Sequence, residues 1–131
     1  MISCIAIDDD PIFLKLIETY FTTFTKAELV ASYENPAKGI VAVARMKPDV
    51  LLIDREMPYL DGFETLDTLD DGPKVIMISA HSKLPDMPLD IEIAKYIDKT
   101  KLSPTVLEEA IVEAVSWSYS NIVGCCFVNS V

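Results

Sequence analysis

Residues 2–11 read ISCIAIDDDP: six mainly apolar residues, then three aspartates and a proline. Continuous apolar runs rich in isoleucine are typical of strands buried on both faces, as in a parallel sheet. Asp10-Pro11 is typical of a helix start, because aspartate caps helices and proline fits the first helical position. The stretch therefore predicts a buried strand that passes directly into a helix.

The same alternation of strand and helix continues along the chain. Short apolar runs predict five strands, at residues 2–7, 28–32, 50–53, 75–79 and 93–97. Helical patterns follow three proline-marked starts, at Asp10-Pro11, Asn35-Pro36 and Ser103-Pro104, and a weaker short helix fits residues 62–69. Strands that alternate with helices indicate right-handed βαβ units. We therefore predict an α/β fold, a doubly wound parallel sheet with helices on both faces.

Apolar residues at helical spacing predict the helices themselves. They are Phe13, Leu14, Ile17, Phe21 and Phe24 in the first, Ala37, Ile40, Val41 and Ala44 in the second, and Leu107, Ala110, Ile111, Ala114 and Val115 in the last. The segment between Ser79 and Lys99 departs from this pattern, because Pro85 and Pro88 lie within it and the second would interrupt a helix. We expect a short or irregular element there.

Length and charge limit the possible functions. The chain has 131 residues, with 21 Asp plus Glu against 11 Lys plus Arg, a net charge of −10. That length fits a single domain, and a hydrophobic content of 50% argues against disorder. The acidity argues against a large phosphate-binding surface, so we expect no direct binding of nucleic acid by this domain.

The cysteines and the two ends of the chain indicate the compartment. The chain has three cysteines, Cys4, Cys125 and Cys126, and their spacing is not that of a metal site. An odd number favours a reducing cytoplasm over a disulfide framework. The N-terminus has no basic region, and its apolar run is too short for a signal peptide. Residues 114–131 carry no charge, but serines, asparagines and a glycine interrupt them. We expect a helix end followed by an apolar tail that covers a neighbouring surface, and no membrane span.

The predicted strand ends carry polar groups of complementary chemistry. They are Asp8, Asp9 and Asp10 after the first strand, Asp54 after the third, Ser79 at the end of the fourth and Lys99 after the fifth. Ligands of open parallel sheets bind outside the carboxyl ends of the strands. Clustered carboxylates need a compensating cation, and their oxygens suit Mg²⁺. With an ammonium and a hydroxyl beside them, the set predicts phosphoryl transfer to an aspartate.

Each of these residues also has an ordinary structural interpretation. Asp10 fits a helix cap, Asp8 and Asp9 fit a solvated loop, and Lys99 fits an exposed lysine. The combination favours the functional interpretation, because four strand ends that each carry a complementary group are hard to attribute to chance.

At these residues the sequence closely resembles the receiver domains of bacterial two-component response regulators, the CheY-like domains. The most specific stretch is residues 54–62, DREMPYLDG, which matches the family pattern D-x-x-M-P-x-x-D-G. The resemblance implies a five-stranded sheet of flavodoxin-like order 2-1-3-4-5, a receiver domain over residues 1–120, and an apolar tail or linker start over residues 121–131. The early first strand and compact third helix also resemble receivers that precede LytTR-type DNA-binding domains.

The resemblance implies an acceptor and a metal site. Asp54 would accept the phosphoryl group. Mg²⁺ would be bound by Asp54, by Asp9 directly, by Asp8 through water, and by the backbone carbonyl of Glu56. The triple aspartate leaves open whether Asp8 and Asp9, or Asp9 and Asp10, form the working pair; we favour the former because it follows directly on the strand.

The resemblance also implies a switch. Ser79 and Lys99 would contact the phosphoryl group, and Tyr96 would rotate inward as Ser79 moves. Glu56 and His81 would tune the lifetime of the acyl phosphate, although His81 equally fits an exposed loop. The partners that the resemblance implies are a histidine kinase or phosphotransfer protein and a downstream output domain or protein. A homodimer is also compatible with the resemblance. One departure is Thr100 after Lys99, where the family usually has a proline in a cis peptide bond.

Two other functions compete with this one. A haloacid-dehalogenase-like phosphatase would use Asp8-x-Asp10 as nucleophile and acid, with Ser79 and Lys99 in the later motif positions. No acidic pair follows Lys99, however, and Asp54 would be idle. A pseudo-receiver acting only as a binding module is compatible with the irregular proline segment. We expect a phosphoacceptor and no enzyme, apart from promotion of its own phosphorylation and dephosphorylation.

Overall fold

The computed structural model describes residues 1–54, 72–80 and 93–116. Its elements are β1 (Ile2–Ile7), α1 (Pro11–Phe21), β2 (Ala27–Tyr33), α2 (Pro36–Met46), β3 (Val50–Asp54), β4 (Lys74–Ser79), β5 (Lys95–Asp98), a 3-10 turn (Lys99–Lys101) and α3 (Pro104–Ser116). The weak helix at 62–69, the segment with Pro85 and Pro88, and the tail from 121 lie outside the described residues.

The five strands form one sheet in the order β2-β1-β3-β4-β5, and every neighbouring pair is parallel. This confirms the predicted α/β fold and its flavodoxin-like strand order. The last predicted strand, residues 93–97, begins two residues later, at Lys95, although the Ala94 amide already donates a hydrogen bond to the Val75 carbonyl, at 2.8 Å.

Alternate residues of the central strands serve opposite faces of the sheet. Cys4, Val50 and Leu52 belong to the apolar cluster that includes the buried residues of α1 and α3. Ile5, Ile7, Leu51 and Ile53 belong to the cluster that includes Ala42 and Val43 of α2. Because both faces are covered, the central strands have continuous apolar runs in place of an alternating pattern.

The three helices of the described residues begin where the proline signals predict. The Asp10 carboxylate accepts a hydrogen bond from the Ile12 amide at 2.9 Å, and the Asn35 side chain accepts one from the Lys38 amide at 3.1 Å. The Ser103 hydroxyl caps α3 in the same way. Each cap satisfies an amide that the first helical turn leaves unpaired. In the described part of the chain, no helix combines the length and the apolar character that crossing a membrane requires.

The buried face of α2 differs from the predicted one. The structure buries Gly39, Ala42 and Val43, while Val41 is 55% exposed. A Cβ atom at Gly39 would lie 2.5 Å from Cδ1 of Ile7, so α2 approaches β1 through its smallest side chains. The apolar pattern alone misplaced this face because it counts large side chains and takes no account of how close the backbones come.

Candidate active site

The ends of β1 and β3 place two aspartates next to each other. Ile7 pairs with Ile53 in the parallel ladder between these strands. Asp8 and Asp54, the next residue along each strand, therefore lie at the same edge of the sheet. Both are nearly excluded from solvent, with 2% and 5% of their surface exposed.

The ends of β4 and β5 add a hydroxyl and an ammonium group to this edge. Ser79 is the last residue of β4, is 1% exposed and pairs with Asp98 of β5. Lys99 follows Asp98 and opens the 3-10 turn. The four strand ends singled out in the sequence thus meet at one edge of the sheet.

Three carboxylates form a group that could hold a metal ion. Asp8, Asp9 and Asp54 each offer one oxygen, and these oxygens lie within 4.8 Å of one another. Asp10 caps α1 and does not belong to the group. The structure therefore brings together Asp8 and Asp9, and not Asp9 and Asp10, with Asp54.

The buried position of Asp8 changes its acidity. Burial raises the pKa of Asp8 to about 6, and the Asp54 charge adds to the rise, against the lowering effects of the Asp10 amide and the Lys99 ammonium. The Asp10 amide donates to Oδ1 of Asp8 at 2.8 Å. Together the three carboxylates offer the hard oxygen ligands that Mg²⁺ takes, so the donor set is compatible with the expected metal.

Lys99 is held inside this group of carboxylates. Its Nζ lies 3.2 Å from Oδ2 of Asp8 and 3.6 Å from Oδ1 of Asp54, and its side chain is 22% exposed. Burial by itself lowers the pKa of Lys99, but the two carboxylates outweigh burial and raise it. The interpretation of Lys99 as an ordinary exposed lysine is therefore wrong.

The remaining predicted residues divide into two groups. Tyr96 lies in β5, pairs with Met77 and packs against the α2-side apolar cluster, with its hydroxyl oxygen buried. Glu56 and His81 lie outside the described residues, so their expected roles stay predictions.

Sequence reasoning missed an aromatic side chain next to this site. The apolar pattern assigns Phe13 of α1 only to the core, yet Nζ of Lys99 lies 4.3 Å from the centre of its ring. At that distance the face of the ring attracts the ammonium charge. No local pattern marks this contact, because the two residues are 86 positions apart in the chain and meet only when the sheet forms.

Sequence reasoning also missed how the turn after β5 forms without the family's proline. The Asp98 carboxylate accepts hydrogen bonds from the Thr100 amide at 2.9 Å and the Thr100 hydroxyl at 2.8 Å. Both hydrogen bonds lower the pKa of Asp98, and the one from the Thr100 amide has the larger effect. The described residues include no cis peptide, and Lys99–Thr100 is trans. The Asp-x-Thr spacing is the signal that could have predicted this turn.

The match to known sequences decides the family. Residues 4–112 match the family described as the response regulator receiver domain. The chain belongs to this family. It is a receiver domain of the response regulators of two-component signal transduction, which confirms the resemblance read from residues 54–62.

Curated relatives of this receiver domain are longer proteins. The transcriptional regulatory protein BtsR of Escherichia coli K12 is 30% identical over 82 residues, which cover 61% of this chain and 34% of that protein. A protein-glutamate methylesterase/protein-glutamine glutaminase of Lawsonia intracellularis is 34% identical over 85 residues, covering 63% of this chain and 24% of the enzyme. The chain thus spans about a third or less of these relatives.

Solved receiver structures have the same fold. The response regulator domain of Thermotoga maritima CheB superimposes with a TM-score of 0.77 at 22% identity, covering 90% of this chain and 98% of that one. The signal receiver domain of a NarL from Mycobacterium tuberculosis gives 0.75 at 21% identity, covering 89% and 98%. At these identities the likeness concerns the fold alone.

Proposed function

We propose that Asp54 of this receiver domain accepts a phosphoryl group from a histidine kinase or phosphotransfer protein. The observation that carries the proposal is the placement of Asp54: its buried carboxylate lies 3.6 Å from the Lys99 ammonium and within 4.8 Å of Asp8 and Asp9 oxygens. A nucleophile held among a cation and further carboxylates is suited to phosphoryl transfer, in which positioning and charge neutralisation supply most of the catalysis.

The transfer follows from the chemistry of these groups. A carboxylate oxygen of Asp54 bonds to the phosphorus, the bond from phosphorus to the donor's imidazole nitrogen breaks, and the imidazole leaves as a neutral group after taking up a proton. Lys99 is placed to neutralise charge on the phosphoryl oxygens, and Ser79 to donate its hydroxyl hydrogen to one of them. Asp8, Asp9 and Asp54 would hold Mg²⁺, which when bound supplies charge neutralisation to the same oxygens.

The proposal includes a consequence for the surface of the domain. The acyl phosphate would draw Ser79 and Lys99 toward it and bias a two-state equilibrium that includes Tyr96 of β5. The domain then acts as a switch that receives one phosphoryl group per chain, and it needs no turnover of a separate substrate. An output domain or protein would read the switched surface. The cytoplasmic location, the LytTR-type partner and the domain boundary at residue 120 stay predictions.

The experiment measures covalent phosphorylation directly. The protein is incubated with acetyl phosphate and Mg²⁺, and intact mass is recorded for the wild type, Asp54→Asn and Asp10→Asn. We expect the wild type and Asp10→Asn to gain one phosphoryl group, because asparagine also caps helices, and Asp54→Asn to gain none.

The same variants separate the alternatives. Loss of phosphorylation in Asp10→Asn with retention in Asp54→Asn would contradict the proposal and favour the phosphatase, whose acid would be Asp10. A wild type that gains no mass at any Mg²⁺ concentration, while remaining folded, would favour the binding module.

A further inference from the structure

Helix α2 and the residues that flank it carry a local excess of positive charge. Residues 35–48 contain Lys38, Arg45 and Lys47 and no aspartate or glutamate, in a chain whose net charge is −10. Lys38 and Arg45 are seven residues apart, nearly two helical turns, and so lie on one face about 10 Å from each other. Among the described residues neither has an ion-pair partner.

The space between these two cations is an apolar groove. Its volume is about 400 Å³, and it is lined by Tyr33, Ala37, Lys38, Val41, Ala42 and Arg45. Val41, at 55% exposure, lies between the cations, three residues after Lys38 and four before Arg45. The volume lies within the range of ligand-binding pockets in proteins. The groove therefore combines an exposed apolar floor with two cations that have no ion-pair partner in the described part of the chain, and Tyr33 places one end of it at the carboxyl end of β2.

The close packing of α2 explains why the groove exists. Gly39, Ala42 and Val43 are buried, which turns the larger Val41 and the two cations outward. β2 is the edge strand of the sheet on this side, so no further strand covers its end at Tyr33.

We propose that this groove docks an acidic segment of a partner protein, one that places an apolar side chain on Val41 between two carboxylates. The charge of the groove favours this partner, because carboxylates would meet Lys38 and Arg45 while an apolar residue fills the floor. Nucleic acid fits less well: duplex DNA carries one charge per about 1.7 Å, which three cations on a chain of net charge −10 cannot neutralise. The proposal is independent of phosphorylation at Asp54.

The test selects the partner chemistry without assuming a sequence. Short random peptides displayed on phage are selected on the unphosphorylated wild type, and the enriched peptides are synthesised with a fluorescent label. Their affinity is then measured by anisotropy for the wild type, for Lys38→Glu/Arg45→Glu, and for the charge-matched control Lys15→Glu/Lys26→Glu. Both control lysines are exposed and lie outside the groove.

We expect the enriched peptides to combine aspartate or glutamate with a large apolar residue. The control variant should bind these peptides as tightly as the wild type does. Lys38→Glu/Arg45→Glu should bind them at least about tenfold more weakly. The affinity of the wild type for the peptides should fall as the salt concentration rises. Failure to enrich any peptide, enrichment without acidic residues, or equal binding to both double variants would overturn the proposal. Sedimentation velocity gives one more outcome that would overturn the proposal. If the wild type is a dimer and Lys38→Glu/Arg45→Glu is a monomer, a second copy of the chain occupies the groove.

Discussion

Replacement of Gly39 by alanine sets two effects of known size against each other. Alanine is the better helix former, by about 1 kcal/mol in a helix interior. The added Cβ, however, would lie 2.5 Å from Cδ1 and 2.6 Å from Cγ1 of Ile7, where carbon atoms in contact are normally about 3.5–4.0 Å apart.

Ile7 has little room to move away. It is 1% exposed, lies in the interior strand β1, and is β-branched, so few rotamers are open to it. The clash involves Cγ1 as well as the terminal carbon, so rotation of the last bond alone does not relieve it. Overpacking of this kind costs about 1–3 kcal/mol. We therefore expect Gly39→Ala to destabilise the domain by up to about 2 kcal/mol once the propensity gain is subtracted.

The clash also reaches the active site. Ile7 directly precedes Asp8, so a displaced Ile7 should shift the carboxylate away from Asp54 and Lys99. We expect weaker beryllofluoride binding in Gly39→Ala, measured with Mg²⁺ present.

A double-mutant cycle separates the clash from other effects. Urea unfolding is measured for the wild type, Gly39→Ala, Ile7→Ala and the double variant, with the slope of the transition compared as a check on two-state behaviour. In the Ile7→Ala background the clashing atoms are gone, so Gly39→Ala should stabilise by up to about 1 kcal/mol. The reasoning is refuted if Gly39→Ala stabilises the wild type by that amount.

Three further outcomes follow from the contacts of the site and the core. Burial raises the pKa of Asp8 from 3.8 to about 6. Between pH 3.8 and about 6, the folded state therefore binds the Asp8 proton more tightly than the unfolded state does. The free energy of unfolding of the Mg²⁺-free protein should therefore fall as pH rises through this window. Asp8→Asn should therefore raise the free energy of unfolding by on the order of 2 kcal/mol at neutral pH. Urea unfolding in EDTA measures this, with Asp10→Asn as the control. If the free energy of unfolding depends on pH in the same way in both variants, the prediction is wrong. Stepwise fluorination of Phe13 keeps its size but weakens the attraction for Lys99, so beryllofluoride affinity should fall with each added fluorine, and an unchanged affinity across the series would argue against a positioning role for the ring. The Glu108 carboxylate accepts hydrogen bonds from the Thr25 and Lys26 amides, at 3.0 and 3.1 Å. Glu108→Ala should cost about 1–2 kcal/mol and speed hydrogen exchange at both amides, whereas Glu108→Gln, which keeps an acceptor oxygen, should cost less.

The sequence alone predicted the order of elements and the set of residues at the strand ends. Helix starts could be read at Asp10-Pro11, Asn35-Pro36 and Ser103-Pro104 because capping depends on residues only a few positions apart. Strands could be read from apolar runs because burial on both faces leaves a continuous pattern. The meeting of Asp8, Asp54, Ser79 and Lys99 followed from those elements, since parallel strands end at one edge of the sheet.

Only the tertiary structure decided which of these residues act together and in what environment. It separated Asp10, a helix cap, from the carboxylate group of Asp8, Asp9 and Asp54. It also placed Phe13 against Lys99 and turned Val41 outward. These outcomes depend on distances between segments far apart in the chain and on how closely two backbones approach. Local periodicity carries no information about either, because it records which residues are apolar and not what they meet.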